Sequence, residues 1–175
     1  CLKGFQRIVA RPKLFRDPVH GQIRFEDVDL RLPAPTEGGW PKRGSWLLRK
    51  LIDTREFQRL RFIRQNGLAN FVFHGAEHSR FSHSMGVAYL AHEMHDRIVR
   101  NMGEQPNGEW ELSLGAASLL HDIGHGPFSH TLEEILKDSR IPFSHETMTK
   151  RIIEEEGSET NNILRQVDTA LPGIL

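Results

Sequence analysis

The sequence predicts a mostly α-helical bundle with a small β hairpin near its N-terminal part, and three observations carry that fold class. Apolar residues recur at threes and fours between Trp46 and Gln65, which is the spacing of a helix face. Beyond Ser79 the chain reads as helix and short turn throughout. One brief alternating run, Gln22 to Glu26, suits a strand. At 175 residues the chain is of one-domain size and long enough to bury a real core.

Taken in order, residues 14–28 join a Pro-containing turn to that short strand. The stretch 32–45 carries three Pro and three Gly with no apolar period and reads as a surface loop or insertion. Helix follows, built on Leu47, Leu48, Leu51, Ile52, Phe57, Leu60 and Ile63, with a break near Asp53 and Thr54. Phe71, Val72 and Phe73, flanked by glycines, look like a brief hairpin. In the helix from Arg80, positions 83, 87, 90, 94 and 98 form one stripe that is apolar except for His83, so His83 points inward. His92 lies about half a turn off that stripe and reads as solvated, as does His95. A further helix, Leu114 to His125, places Leu114, Ala117, Ser118, His121 and His125 on one face. Inward histidines on successive antiparallel helices can meet on one metal, as facing side chains do in helical bundles.

Composition narrows the function classes. The 23 basic and 23 acidic residues balance, leaving no global field for nucleic acid or a membrane surface, although a local basic patch is compatible with that balance. Cys1 has no internal disulfide partner and suits a reducing compartment. No apolar run approaches membrane-spanning length and no signal peptide is visible, so the expected location is cytoplasmic, or nuclear in a eukaryote. The opening Cys-Leu-Lys and the closing Leu-Pro-Gly-Ile-Leu read as the ends of a fragment of something longer.

The densest chemistry lies at His121-Asp-Ile-Gly-His-Gly-Pro-Phe-Ser-His130, which holds three of the chain's ten histidines. The adjacent His121 and Asp122 offer an imidazole nitrogen and a carboxylate oxygen to one divalent ion, a mixed set suited to Mn, Fe, Zn or Mg. His125 follows one helical turn after His121. Gly124 and Gly126 leave room for a ligand's oxygens, and Pro127 suits the first turn of a new helix carrying His130. Either Glu133 or Glu134 is spaced to orient that imidazole. Arg55, Arg59, Arg61 and Arg64 crowd one helical stretch, which by charge alone is a solvated basic face.

The separated His followed by His-Asp resembles the signature of HD-domain metal-dependent phosphohydrolases. Arg80-Phe-Ser-His83-Ser and the His121–His130 string are similar to the deoxynucleoside triphosphate triphosphohydrolase branch of that family, as are Asp17-Pro-Val-His-Gly21, Ile52–Gln65 and Ser144-His-Glu146. The resemblance implies an HD-domain fragment over 1–175, with a regulatory-like segment 14–65 and an HD core 79–175 whose C-terminal part is missing. It also implies metal ligands His83, His121 and Asp122, with a fourth, an aspartate, beyond residue 175 rather than Asp168. His125 and His130 would lie by the α-phosphate, partnered by Glu133 and His145; Arg80 would hold phosphate and Gln65 would meet the sugar.

Further implications are hydrolysis of a dNTP to deoxynucleoside and triphosphate, and a homo-oligomer, dimer or tetramer, activated by a guanine nucleotide at a site including Lys13, Asp53, Gln58 and Arg61. The 32–45 insertion departs from the family and bears on that regulatory site. Two alternatives stay open: another HD phosphohydrolase, such as a nucleotidase or phosphodiesterase, and an inactive nucleotide-sensing scaffold.

Overall fold

The computed structural model describes residues 13–25, 39–105, 107–128 and 130–175. Near its start a two-stranded antiparallel hairpin pairs β1 (Lys13–Asp17) with β2 (Gly21–Phe25), Asp17 facing Gly21 across the turn. The Asp-Pro-Val-His-Gly string makes that turn. Asp17 Oδ1 accepts from the backbone N–H groups of Val19 and His20, each at 2.8 Å, and Gly21 supplies φ 74°. Glu26, expected at the strand's end, lies outside the described residues.

The long α1 (Gly39–Ile52) starts inside the stretch read as loop. Its two glycines and proline fall in the first turns, where Pro needs no amide partner, and the segment from 32 to 38 is outside the described residues. The expected break occurs at Asp53 and Thr54. Buried Thr54 caps α2 (Arg55–Gln58) by accepting from Phe57 N–H at 3.2 Å while donating to Leu51 C=O at 2.7 Å. A 3-10 turn, Arg59–Phe62, follows. The four arginines therefore share no helix face, because the chain changes helix type among them. Phe71 closes a second 3-10 turn, Gly67–Phe71, so the expected hairpin there is absent.

Next come α3 (Arg80–Met102) and α4 (Gly108–Leu120), an antiparallel pair capped by Ser79 and Asn107 and joined through Gly103 at φ 70°. The chain ends in α5 (His130–Asp138), α6 (His145–Glu154), α7 (Glu159–Val167) and α8 (Leu171–Ile174). The core gathers Trp46, Leu47, Leu51 and Ile52 of α1 with Phe57, Leu60, Phe81, Met85, Leu119, Leu120, Ile123 and Leu164. No helix of the described residues is long and apolar enough to cross a membrane.

Two helices bury faces other than those expected. On α3, Leu90, Met94 and Ile98 are 45–60% exposed. The stripe turned inward is instead Phe81, Met85, Ala88, His92, His95 and Val99, with His95 only 13% exposed. Histidines in that stripe dilute its apolar signal. On α4 the core side is Leu112, Ala116, Leu119 and Leu120, while Leu114, Ala117 and Ser118 are half-buried. A helix apolar on most sides carries no periodicity from which to choose a face.

Thr54→Ala removes the cap on Phe57 N–H and one of two hydrogen bonds to the Leu51 carbonyl, the Thr54 N–H keeping the other at 3.1 Å, and is expected to lower stability by about 1 kcal/mol. Urea unfolding measures it, and Thr54→Ser should restore most of the loss.

Candidate active site

Helix α4 stops at Leu120, and that stop builds the site. His121 is its C-cap, and the chain turns through His121–Gly124 instead of continuing in the helix to His125 as expected. Continuation would have put His121 and His125 one above the other. The turn separates them and places Asp122 between: its Oδ1 lies 3.4 Å from His121 Nε2 and 3.6 Å from His125 Nε2.

Gly124 is the reason the turn fits. A Cβ there would lie 2.2 Å from His145 O and 2.3 Å from Thr149 N, so the first turn of α6 occupies the space expected for a ligand's oxygens. At Gly126 a Cβ would meet Leu132 Cδ2 at 3.0 Å. Gly124 N–H donates to Thr149 Oγ1 at 2.9 Å, and that hydroxyl donates on to His121 C=O at 3.3 Å. Arg59 closes the other side, donating to His125 C=O at 2.7 Å and to Ile123 C=O. Pro127 falls in the turn before α5 and not in the helix's first turn, since α5 begins at His130.

Across from this turn, the start of α3 presents His83. Arg80 N–H donates to Ile63 C=O at 2.8 Å and Ser79 Oγ accepts from Ser82 N–H, which fixes the first turn. His83 Nε2 reaches within 3.3 Å of His121 Nε2 and 3.6 Å of Asp122 Oδ2. His121 Nδ1 lies 2.8 Å from Ser118 C=O, a contact that orients the ring and turns Nε2 toward His83 and Asp122. Two imidazole nitrogens beside a carboxylate form a set that can hold a divalent metal, their donor atoms lying within 4.8 Å of one another. Burial opposes ionisation of Asp122, but the His121 hydrogen bond, Arg80 and His125 hold its carboxyl well below the usual range. The Asp122 hydrogen bond raises His121, whereas burial lowers His83.

Arg80, expected at a phosphate, is 2% exposed and bonds Asp122 Oδ2 at 2.5 Å. It orients a candidate ligand.

Beside this group stands a second one. The His125 and His145 rings stack 3.8 Å apart at 12°, and His130 lies edge-on to both. Glu133 joins them: Oε1 accepts from the backbone N–H of His145 and lies 2.7 Å from its Nδ1, while Oε2 is 3.2 Å from His130 Nδ1. Of the two spacings open in the sequence, Glu133 is therefore the one that reaches His130. Burial would raise its carboxyl, yet these bonds bring it down to about 2. Burial, followed by Arg80 and His145, lowers His125 to about 4, leaving it a neutral base at neutral pH. A cleft of about 570 Å³ runs past His130, Phe128 and Gln65.

The expected regulatory residues lie apart from this site in two contacting pairs. Lys13 bonds Asp53 at 2.6 Å, and Arg61 donates to Gln58 Oε1 at 2.8 Å, its guanidinium 3.6 Å over the Phe81 ring. Asp168, set aside in the sequence, accepts from Ala170 N–H in a turn after α7. Sequence reasoning missed Arg59 and Thr149. Neither carried a signal: one was an arginine in a basic run, the other a threonine in an amphipathic helix.

The HD domain family matches residues 80–171, which span both histidines of the α3–α4 pair and the stacked cluster. The chain belongs to the HD domain family. Similar proteins include the uncharacterized protein YwfO of Bacillus subtilis, 40% identical over 94% of this chain. The deoxynucleoside triphosphate triphosphohydrolase SAMHD1 of Gallus gallus is 35% identical over 97% of the chain, and that of Homo sapiens 40% over 69%. This HD chain spans 32%, 26% and 16% of those three proteins respectively.

Gly124→Ala is expected to destabilise the domain by roughly 3 kcal/mol, since backbone must move, and to weaken metal binding with it; calorimetry with and without zinc reads both. Glu133, depressed from 4.5 to about 2, contributes stability fully above about pH 4.5, and this is lost as pH falls toward 2. Glu133→Gln should thus be less stable than the parent at pH 7, with the gap in urea midpoints closing below pH 4.5. A gap that ignores pH would assign the stabilisation to packing.

Proposed function

We propose that this HD domain carries the metal-binding and proton-transfer part of a phosphohydrolase that converts a dNTP to deoxynucleoside and inorganic triphosphate. The observation that carries the reading is the juxtaposition of a metal-type donor set, His83, His121 and Asp122, with an independent histidine cluster tied by one ionised carboxylate. Similarity to dNTP triphosphohydrolases supports the substrate class. A metal held by the first set supplies Lewis-acid polarisation of a phosphoryl oxygen and a lowered pKa for bound water.

The protein's own groups do the rest. Arg80 keeps Asp122 ionised and aimed. His125, neutral, stands by Asp122 to accept a proton. His130 binds Glu133 through Nδ1, which leaves Nε2 to protonate the departing 5′ oxygen. Gln65 shares the cleft wall with His130, where a sugar would lie. His83, His121 and Asp122 would hold the metal, and a further carboxylate from outside residues 1–175 would add to them. The Lys13–Asp53 and Gln58–Arg61 pairs form one half of a guanine-nucleotide site that a second subunit completes, with the Asp53 carboxylate accepting from the guanine edge and arginine meeting phosphate.

In the full-length protein, product chromatography should detect deoxynucleoside and triphosphate; orthophosphate or pyrophosphate would instead assign another HD branch. His130→Ala is expected to lower turnover by about 10² or more with metal content unchanged, whereas His121→Ala should lose the metal. Sedimentation with and without GTP tests the regulatory half, and an unchanged mass distribution would remove it.

A further inference from the structure

The α3 stripe that turns inward contains two histidines the active site does not use. His92 and Asp96 are one helical turn apart on α3 and face Glu111 at the start of α4. Donor atoms of these three lie within 4.8 Å of one another. Glu111 is 4% exposed, and among the described residues its carboxylate takes part in no hydrogen bond; its nearest basic neighbour is His95 Nδ1, at 3.9 Å. That Nδ1 is itself buried without a hydrogen-bond partner among the described residues. The His95 ring lies parallel to Trp110, 11° between planes, which holds it against α4.

A buried imidazole nitrogen with no hydrogen-bond partner among the described residues is costly, and here it faces a buried carboxylate. Glu111 comes from α4, and His92, His95 and Asp96 come from the facing side of α3. Burial raises the Glu111 carboxyl, against the pull of His95 and His92 and with the push of Asp96. A cation is a partner that the carboxylates and imidazoles gathered here can share.

We propose that His92, Asp96 and Glu111 bind a second divalent transition-metal ion, of the zinc type, between α3 and α4. The donors are one imidazole and two carboxylates without thiolate, a set that suits zinc and its neighbours. Asp96 gives Oδ2 to Arg100 Nη2 at 3.0 Å and keeps Oδ1 for the ion. His95 Nδ1 stands 3.9 Å from Glu111 Oε1, too far for a hydrogen bond, and borders the donor set. The site is separate from the His83 centre: nine to thirteen residues along α3 is roughly 14–20 Å. Its role is to clamp the helix pair near its connecting loop, while the other end carries His83 and His121.

Zinc alone is the probe, measured by equilibrium dialysis and elemental analysis on purified protein. His121→Ala, which disables the first centre, should still retain one equivalent, and adding Glu111→Gln or His92→Ala should bring that to zero. With the first centre intact, Glu111→Gln should bind one equivalent fewer than the parent, whether or not the first centre fills, so a failure there leaves this count readable. Glu111→Gln is near-isosteric and neutral; its metal-free melting temperature should equal or exceed the parent's while the zinc-induced rise shrinks. Equal zinc content in the parent, Glu111→Gln and His92→Ala overturns the proposal, as does His121→Ala protein that folds and holds no zinc.

Discussion

The arrangement rests on one contact, the backbone of the turn after α4 lying directly against the first turn of α6. With no Cβ at Gly124, His145 and Thr149 approach to a distance that any other residue would forbid. This approach ends α4 at the residue where His121 and Asp122 must diverge from His125, and it brings His145 onto the His125 ring. Arg59 holds the same turn from the opposite side through two carbonyls. The turn is clamped by hydrogen bonds to its backbone, so its side chains stay available for chemistry.

Charge is then distributed by desolvation and pairing. Asp122 and Glu133 are both ionised against the cost of burial, the first by His121 and Arg80, the second by His145 and His130. Each carboxylate organises its own imidazoles. His125 stands between the two groups, buried and pushed down to about 4, so it carries no charge that would repel a cation. Glu111 is the contrasting case, a carboxylate on the same helix pair that burial raises against the pull of His95 and His92.

Much of this was legible in residue order. The spacing of Leu47, Leu51, Phe57 and Leu60 marked the α1–α2 core and its break at Thr54, and the His-Asp pair with a separated His marked the donor set. The N-terminal hairpin forms, but the further one expected at Phe71–Phe73 does not: aromatic and β-branched residues there favour strand, whereas a 3-10 turn satisfies the backbone locally. The start of α1 was hidden by glycine and proline, which are tolerated in a first turn.

What the sequence determined by itself was the inventory and its local order: mostly helical periodicity, the Asp-Pro-Val-His-Gly turn whose side chain bonds its own backbone, and histidines placed at the ends of two successive helices. What only tertiary structure decided was which way those helices face. On α3 two stripes competed, the more apolar one stayed exposed, and the one holding His92 and His95 was buried. Periodicity scores one helix at a time, whereas the buried face is chosen by the shape of its neighbours. The same holds for Gly124, Arg59 and Arg80: each acts through a residue distant in sequence, and no local pattern encodes such a contact.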